Sequence, residues 1–166
     1  MVSSPEAMPG ETVKVDVSLR DNPGILTTTL KLIYDDTELE LLDVNCNNDL
    51  GITLSNKNTV VWYSKNSKNY SEDGVLFTLV FRVLDTAEAG RSEITLSYEA
   101  GGIINQKEED INFIVESGAV NIIAVEPTLN IFSYMADAEA GDTVECMVNL
   151  KNNPGIASVQ LTPMYD

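Results

Sequence analysis

A period of two constrains this chain more than any other feature. Through residues 12–19, Thr-Val-Lys-Val-Asp-Val-Ser-Leu, every second side chain is apolar, the pattern of a strand with one buried face. Leu30, Leu32 and Tyr34 repeat it over residues 28–34, and further strands are predicted over 39–44, 58–64, 74–84, 93–98 and 111–122, separated by Gly, Asn, Asp and Ser clusters. No segment carries helical periodicity. Short strands at this spacing predict an all-β, two-sheet sandwich.

The chemistry open to such a sandwich is narrow. The 166 residues contain no histidine, the commonest general base and neutral-pH metal ligand. A net charge of −16 repels phosphate backbones and anionic membranes, so no nucleic-acid partner is expected. No apolar run is long enough for a membrane span, so no membrane insertion is expected, and Met1-Val2-Ser3-Ser4 lacks the layout of a signal peptide. Cys46 and Cys146 lie in different repeat contexts, which predicts free thiols rather than a disulfide framework. Cys46 has no neighbouring histidine or second cysteine that would activate it or complete a thiolate metal site.

The strongest internal signal is a repeat. Gly10-Glu11-Thr12-Val13 returns as Gly141-Asp142-Thr143-Val144, Asn22-Pro23-Gly24-Ile25 as Asn153-Pro154-Gly155-Ile156, and Leu30, Tyr34 and Asp35 as Leu161, Tyr165 and Asp166. A single offset joins all of them without a gap, which indicates tandem duplication. In Asn-Pro-Gly, proline presets φ and glycine supplies positive φ, predicting a type II turn at both places.

Several stretches together resemble the cohesin modules of cellulosomal scaffoldins: Pro9-Gly10-Glu11-Thr12-Val13 and Gly24-Ile25, each entering a strand, then Tyr34-Asp35 followed by Leu39-Glu40-Leu41-Leu42. Asp73-Gly74-Val75-Leu76-Phe77, the small-residue loop from Ala87 to Gly90, and Gly118-Ala119-Val120-Asn121-Ile122 continue the resemblance, which covers residues 9–122. It implies a jelly-roll sandwich of about nine strands that performs no reaction and carries no cofactor or metal of its own. Its partner would be a calcium-loaded dockerin borne by an enzyme or another scaffold protein, within a secreted bacterial, extracellular or cell-surface assembly for polysaccharide degradation. Asp36 after Asp35, and threonines at Thr27 and Thr29, depart from the type I pattern and leave subtype and dockerin specificity open.

In that family a sheet of the third, fifth, sixth and eighth strands meets the dockerin. Parity then predicts an outward set of Thr27, Thr29, Lys31 and Ile33, then Thr59, Val61 and Tyr63, then Leu76, Thr78, Val80 and Arg82. The predicted docking face comprises Thr27, Thr29, Lys31, Val61, Tyr63, Asn66, Leu76, Thr78, Val80, Ile104, Asn105 and Glu108, with Tyr63 as its anchor. Glu108-Glu109-Asp110 lies beside it as an acidic run suited to electrostatic steering, or simply a solvated loop.

Competing readings are a carbohydrate-binding sandwich, disfavoured because Trp62 is predicted to be buried, and a structural spacer. The stretch from Asp43 to Asp49 spaces oxygen ligands like the start of an EF-hand, but Asn48 and Leu54 replace the glycine and glutamate such a loop needs, so a polar loop is expected. Asp35 and Asp36 are neighbours in a turn and not a facing acid pair. By the repeat offset Val2 matches Ser133. Residues 1–123 are therefore expected to form a module lacking most of its first strand, 124–128 a short linker, and 129–166 the truncated opening of a second module. The edge of the last strand is expected to be open, and the 125–166 tail to fill such an edge in a neighbouring chain by strand swapping.

Overall fold

The computed structural model describes residues 1–46, 50–55, 58–133, 137–153, 155–162 and 164. Asn47, Asn48 and Asp49 of the EF-hand-like stretch, and Pro154, Tyr165 and Asp166 of the repeat, lie outside the described residues. The chain divides into two compact units, Met1–Ala124 and Val125–Asp166.

The first unit is a two-sheet sandwich. Its strands are β1 (Glu6–Ala7), β2 (Thr12–Leu19), β3 (Thr27–Ile33), β4 (Leu39–Asn45), β5 (Leu50–Ser55), β6 (Thr59–Ser64), β7 (Gly74–Val83), β8 (Gly90–Ser97), β9 (Ile103–Ile104) and β10 (Gly118–Ile122). The larger sheet runs β1-β10-β8-β3-β6-β5, with β9 also paired to β3, and the smaller runs β2-β7-β4. Successive strands cross repeatedly from one sheet to the other, which brings their alternating apolar faces together. Val13, Val15, Val17, Leu79, Phe81 and Val83 of the small sheet share one core with Leu30, Leu32, Val60, Trp62, Ile94 and Val120 of the large one. Trp62 is fully buried and meets Tyr70 edge-on, ring centroids 5.6 Å apart.

The edge of the last strand is covered, contrary to expectation. Ala7 pairs in parallel with Ile122, and Asn121 N donates to Pro5 O (2.9 Å). Upstream, Val2 bridges Val17, and Val2 N donates to Glu116 O (2.9 Å). Gly118 admits this crossing: a Cβ there would stand 2.7 Å from Val2 C and nearer still to Ser3 O. Residues 111–117, expected as strand, are instead held as a strap. Tyr98 Oη donates to Phe113 O (2.8 Å) and accepts from Phe113 N (2.7 Å).

In the second unit β11 (Thr128–Ser133) pairs antiparallel with β12 (Cys146–Lys151), Ile131 opposite Val148. The tail strands thus pair with each other, and the open edge that motivated a strand swap is occupied by β1. The repeat reproduces its turns in both units. Gly24 N donates to Asn22 Oδ1 and Gly155 N to Asn153 Oδ1, each at 3.0 Å. Met8 N likewise donates to Glu11 Oε2 and Glu139 N to Asp142 Oδ2, each at 2.9 Å. Gly24 and Gly155 both have positive φ, 103° and 94°. Ile25 N donates to Tyr70 O (3.0 Å), so the Asn22 side chain, and not a backbone bond to Ile25, braces the first turn.

One parity reading fails in β7. Opposite it, Val17 pairs with Phe77 and Ser18 with Val75, a bulge that skips Leu76. Leu76 and Phe77 therefore both point inward: Leu76 is 2% exposed and Val75 is 51% exposed. Leu76→Ala is expected to destabilise the fold by about 2–5 kcal/mol, and Val75→Ala by no more than about 0.5 kcal/mol, read by urea unfolding. Equal effects would contradict the bulge.

Both cysteines are free; Cys46 is partly buried and Cys146 exposed. Cys46 Sγ donates to Leu50 O at 3.4 Å, and burial raises its pKa, with Lys65 partly opposing. A raised pKa leaves less thiolate at a given pH. In an alkylation time course at pH 8, Cys146 is expected to react first, and Cys46 to accelerate when the fold is unfolded by urea.

Candidate binding face

The pleat that sends Leu30, Leu32, Val60 and Trp62 into the core sends their neighbours outward. Across β9, β3, β6 and β5 these neighbours stand in register. Ile104, Thr27, Tyr63 and Gly51 form one row; Thr29, Val61 and Thr53 the next; Lys31, Thr59 and Ser55 the third. Ile33 continues β3 opposite Thr95 of β8. Tyr63 is 43% exposed, while Val61, Thr27 and Ile104 are half-buried. The Thr27 hydroxyl donates to Trp62 O (2.9 Å), tying β3 to β6 at the Tyr63 end. Lys31 is the only charge among the outward residues of β3, β6 and β5.

The outer side of the small sheet differs in kind. There Glu40 aligns with Arg82 and Thr12, Asp43 with Val80 and Lys14, and Asn45 with Thr78 and Asp16. Arg82 also pairs with Asp85 (3.1 Å). The outer face of the small sheet is densely charged, whereas the β9-β3-β6-β5 part of the large sheet's outer face carries Lys31 alone; the charges Arg91 and Glu93 stand at its β8 end.

The structure therefore splits the predicted residues. Thr27, Thr29, Lys31, Val61, Tyr63 and Ile104 share one face. Leu76, Thr78 and Val80 do not: β7 is the central strand of the small sheet, Leu76 is buried, and Thr78 Oγ1 donates to Asp16 Oδ1 (2.7 Å). The difference comes from β5, which is absent from the strands expected above and moves the strand count by one. Its signal was present in the alternation of Leu50, Ile52 and Leu54, and with it Gly51, Thr53 and Ser55 join the face.

Asn105 is also corrected, since it is buried and works as a loop brace. Its Nδ2 donates to Glu109 Oε2 (2.7 Å), and its Oδ1 accepts from Lys107 N (2.9 Å) and Glu109 N (3.0 Å). The loop is anchored further by Asp110, which accepts from Gly101 N, and by Asn69 Oδ1, which accepts from Gln106 N (2.7 Å). Glu108 stays exposed at its tip, with φ of 63°. Asn66 is exposed just past β6, where its Oδ1 accepts from Ser64 Oγ (2.7 Å) and Lys68 N (3.0 Å) and shapes the turn.

The other acidic candidates are engaged locally. Asp43 accepts from Val44 N (2.8 Å) and Asn45 Nδ2 (3.0 Å). Asp35 accepts from the Thr37 hydroxyl (2.6 Å) and Thr37 N (2.8 Å), bonds that hold its carboxyl below the usual range. Among the described residues, no group of three or more His, Cys, Asp or Glu side chains is placed to hold a metal ion.

The cohesin domain family model matches residues 1–122. Cellulose-binding protein A of Clostridium cellulovorans is 29% identical over 95% of this chain, which spans 9% of that relative. Cellulosomal-scaffolding protein A of Acetivibrio thermocellus is 28% identical over 99% of the chain, which spans 11% of it. Among solved structures, the sixth cohesin of scaffoldin B from Acetivibrio cellulolyticus, in complex with Cel5 dockerin, superposes with a TM-score of 0.63 at 25% identity, covering 74% of this chain and 96% of that one. The sandwich, the order of its strands and the family match lead to one assignment: the chain belongs to the cohesin family.

Proposed function

We propose that this chain is a non-catalytic docking module whose β3-β6-β5 face binds a calcium-loaded dockerin, recruiting dockerin-bearing enzymes or scaffold proteins to a secreted, extracellular or cell-surface assembly. The observation that carries the reading is the contrast between the weakly charged β3-β6-β5 surface and the charged outer face of the small sheet. Protein interfaces are depleted of charge at their centre and anchored by aromatic side chains, and the Thr27–Thr29–Val61–Tyr63 surface has both properties. Lys31, Asn66, Ile104 and Glu108 form its surround, where Glu108 and its acidic neighbours would steer a basic partner. The calcium belongs to the partner.

A carbohydrate site finds less support. Trp62 is fully buried, Tyr70 packs against it, and Tyr98 spends its hydroxyl on the Phe113 strap. Among the described residues of the first unit, Tyr63 is an exposed ring without a row of others beside it to stack on sugars.

Titration calorimetry against a panel of recombinant dockerins, the Cel5 dockerin among them, tests the proposal. Binding is expected in calcium and lost in chelator, because the dockerin needs its metal to fold. Val61→Glu is expected to weaken binding at least tenfold and Tyr63→Ala by about 2 kcal/mol, while Val80→Glu on the opposite sheet leaves it unchanged. Binding that survives Val61→Glu but falls with Val80→Glu would overturn the choice of face.

A further inference from the structure

Gly51 sits opposite Tyr63 in the β5–β6 ladder, and its backbone is not one of the left-handed glycine conformations. Any residue would adopt that φ, and glycine in a strand interior weakens the strand. What Gly51 offers is space. A Cβ built there would lie 2.6 Å from Tyr63 Cε1 and nearer still to Cζ and Cε2. So even an approach to the three outermost ring carbons places Gly51 beneath the face of the ring, not at its edge. The phenol is laid down across the neighbouring strand, one face on the Gly51 backbone and the other toward solvent.

We infer that Gly51 is the positioning residue of the docking face: by lacking a side chain it lets Tyr63 lie flat, making an aromatic platform that receives an aliphatic side chain of the partner. This rests on the docking reading above. A flat ring continues the level of Thr27, Val61 and Ile104, so a partner surface can approach the sheet closely across the whole row. Any Cβ at position 51 forces the ring to rotate upward, where it becomes a knob in the middle of that surface. The surroundings favour an aliphatic occupant over a charged one, because the outward neighbours of Tyr63 are Val61 on its own strand and Thr27 across the ladder, with Ile104 beyond Thr27, and the nearest charge on β3, Lys31, stands two rows away.

Two measurements test it on the full chain. In proton NMR, the Gly51 Hα resonances are expected to be shifted upfield by the ring above them and to return to ordinary values in Tyr63→Ala. Unshifted resonances in the wild type overturn the geometry, and this readout needs no Gly51 variant to fold. In calorimetry with the dockerin that binds the wild type, Gly51→Ala is expected to weaken affinity roughly tenfold, yet change it less than about twofold when Tyr63 is already alanine. Wild-type affinity in Gly51→Ala, or the same loss in both backgrounds, overturns the role of Gly51 while leaving the docking reading intact. A wild-type chain that binds no dockerin overturns that reading and, with it, the platform's role in docking.

Discussion

The register between β3 and β6 is the constraint on which the rest of this module depends. Thr28 stands opposite Trp62 and Leu30 opposite Val60, and these inward residues fill the space between the sheets. A slip of one residue would turn Trp62 to solvent and Tyr63 into the core. Burial of the indole, worth on the order of 3–5 kcal/mol against truncation to alanine, thereby also fixes the Thr27–Thr29–Lys31 and Val61–Tyr63 rows on the outside. The proposed binding face is the reverse side of the core, set by the same pairing.

That coupling explains what could be read in advance. Alternation located β2, β3, β6 and β8 because each has one wet and one dry face, so composition and geometry agree. It failed where the ladder departs from strict pairing. The bulge opposite Val17 and Ser18 shifts β7 by one position, and no local property of Val75-Leu76-Phe77 announces it, since all three residues are apolar. It also failed at β1, where Ser-Ser-Pro-Glu has little strand propensity and is held by hydrogen bonds to residues more than a hundred positions away. The 111–117 strap failed in the opposite sense. Ile111, Phe113 and Val115 alternate as a strand would, but a tyrosine hydroxyl takes both backbone groups of Phe113.

The face was legible in part for the same reason. Thr27, Thr29, Lys31, Val61 and Tyr63 follow from parity once two adjacent strands are known. Which strand comes next across the sheet is a question of topology, and residue spacing does not answer it. Asn105 shows a further limit: a polar residue at the end of a strand reads as available for a partner, whereas the three hydrogen bonds of its side chain are all spent inside its own loop.

The repeated segment separates the two kinds of information. In both units the same residues make the same turns, with Asn22 and Asn153 bracing a glycine at positive φ, and Glu11 and Asp142 capping an amide three residues upstream. These interactions span two or three residues and form wherever their sequence occurs. Burial is not carried over. Val17 is 3% exposed inside the first sandwich, while Val148, its counterpart in the repeat, is 47% exposed on β12. Turn chemistry is local and travels with the sequence; a buried face is shared property, acquired only when a second sheet arrives to cover it.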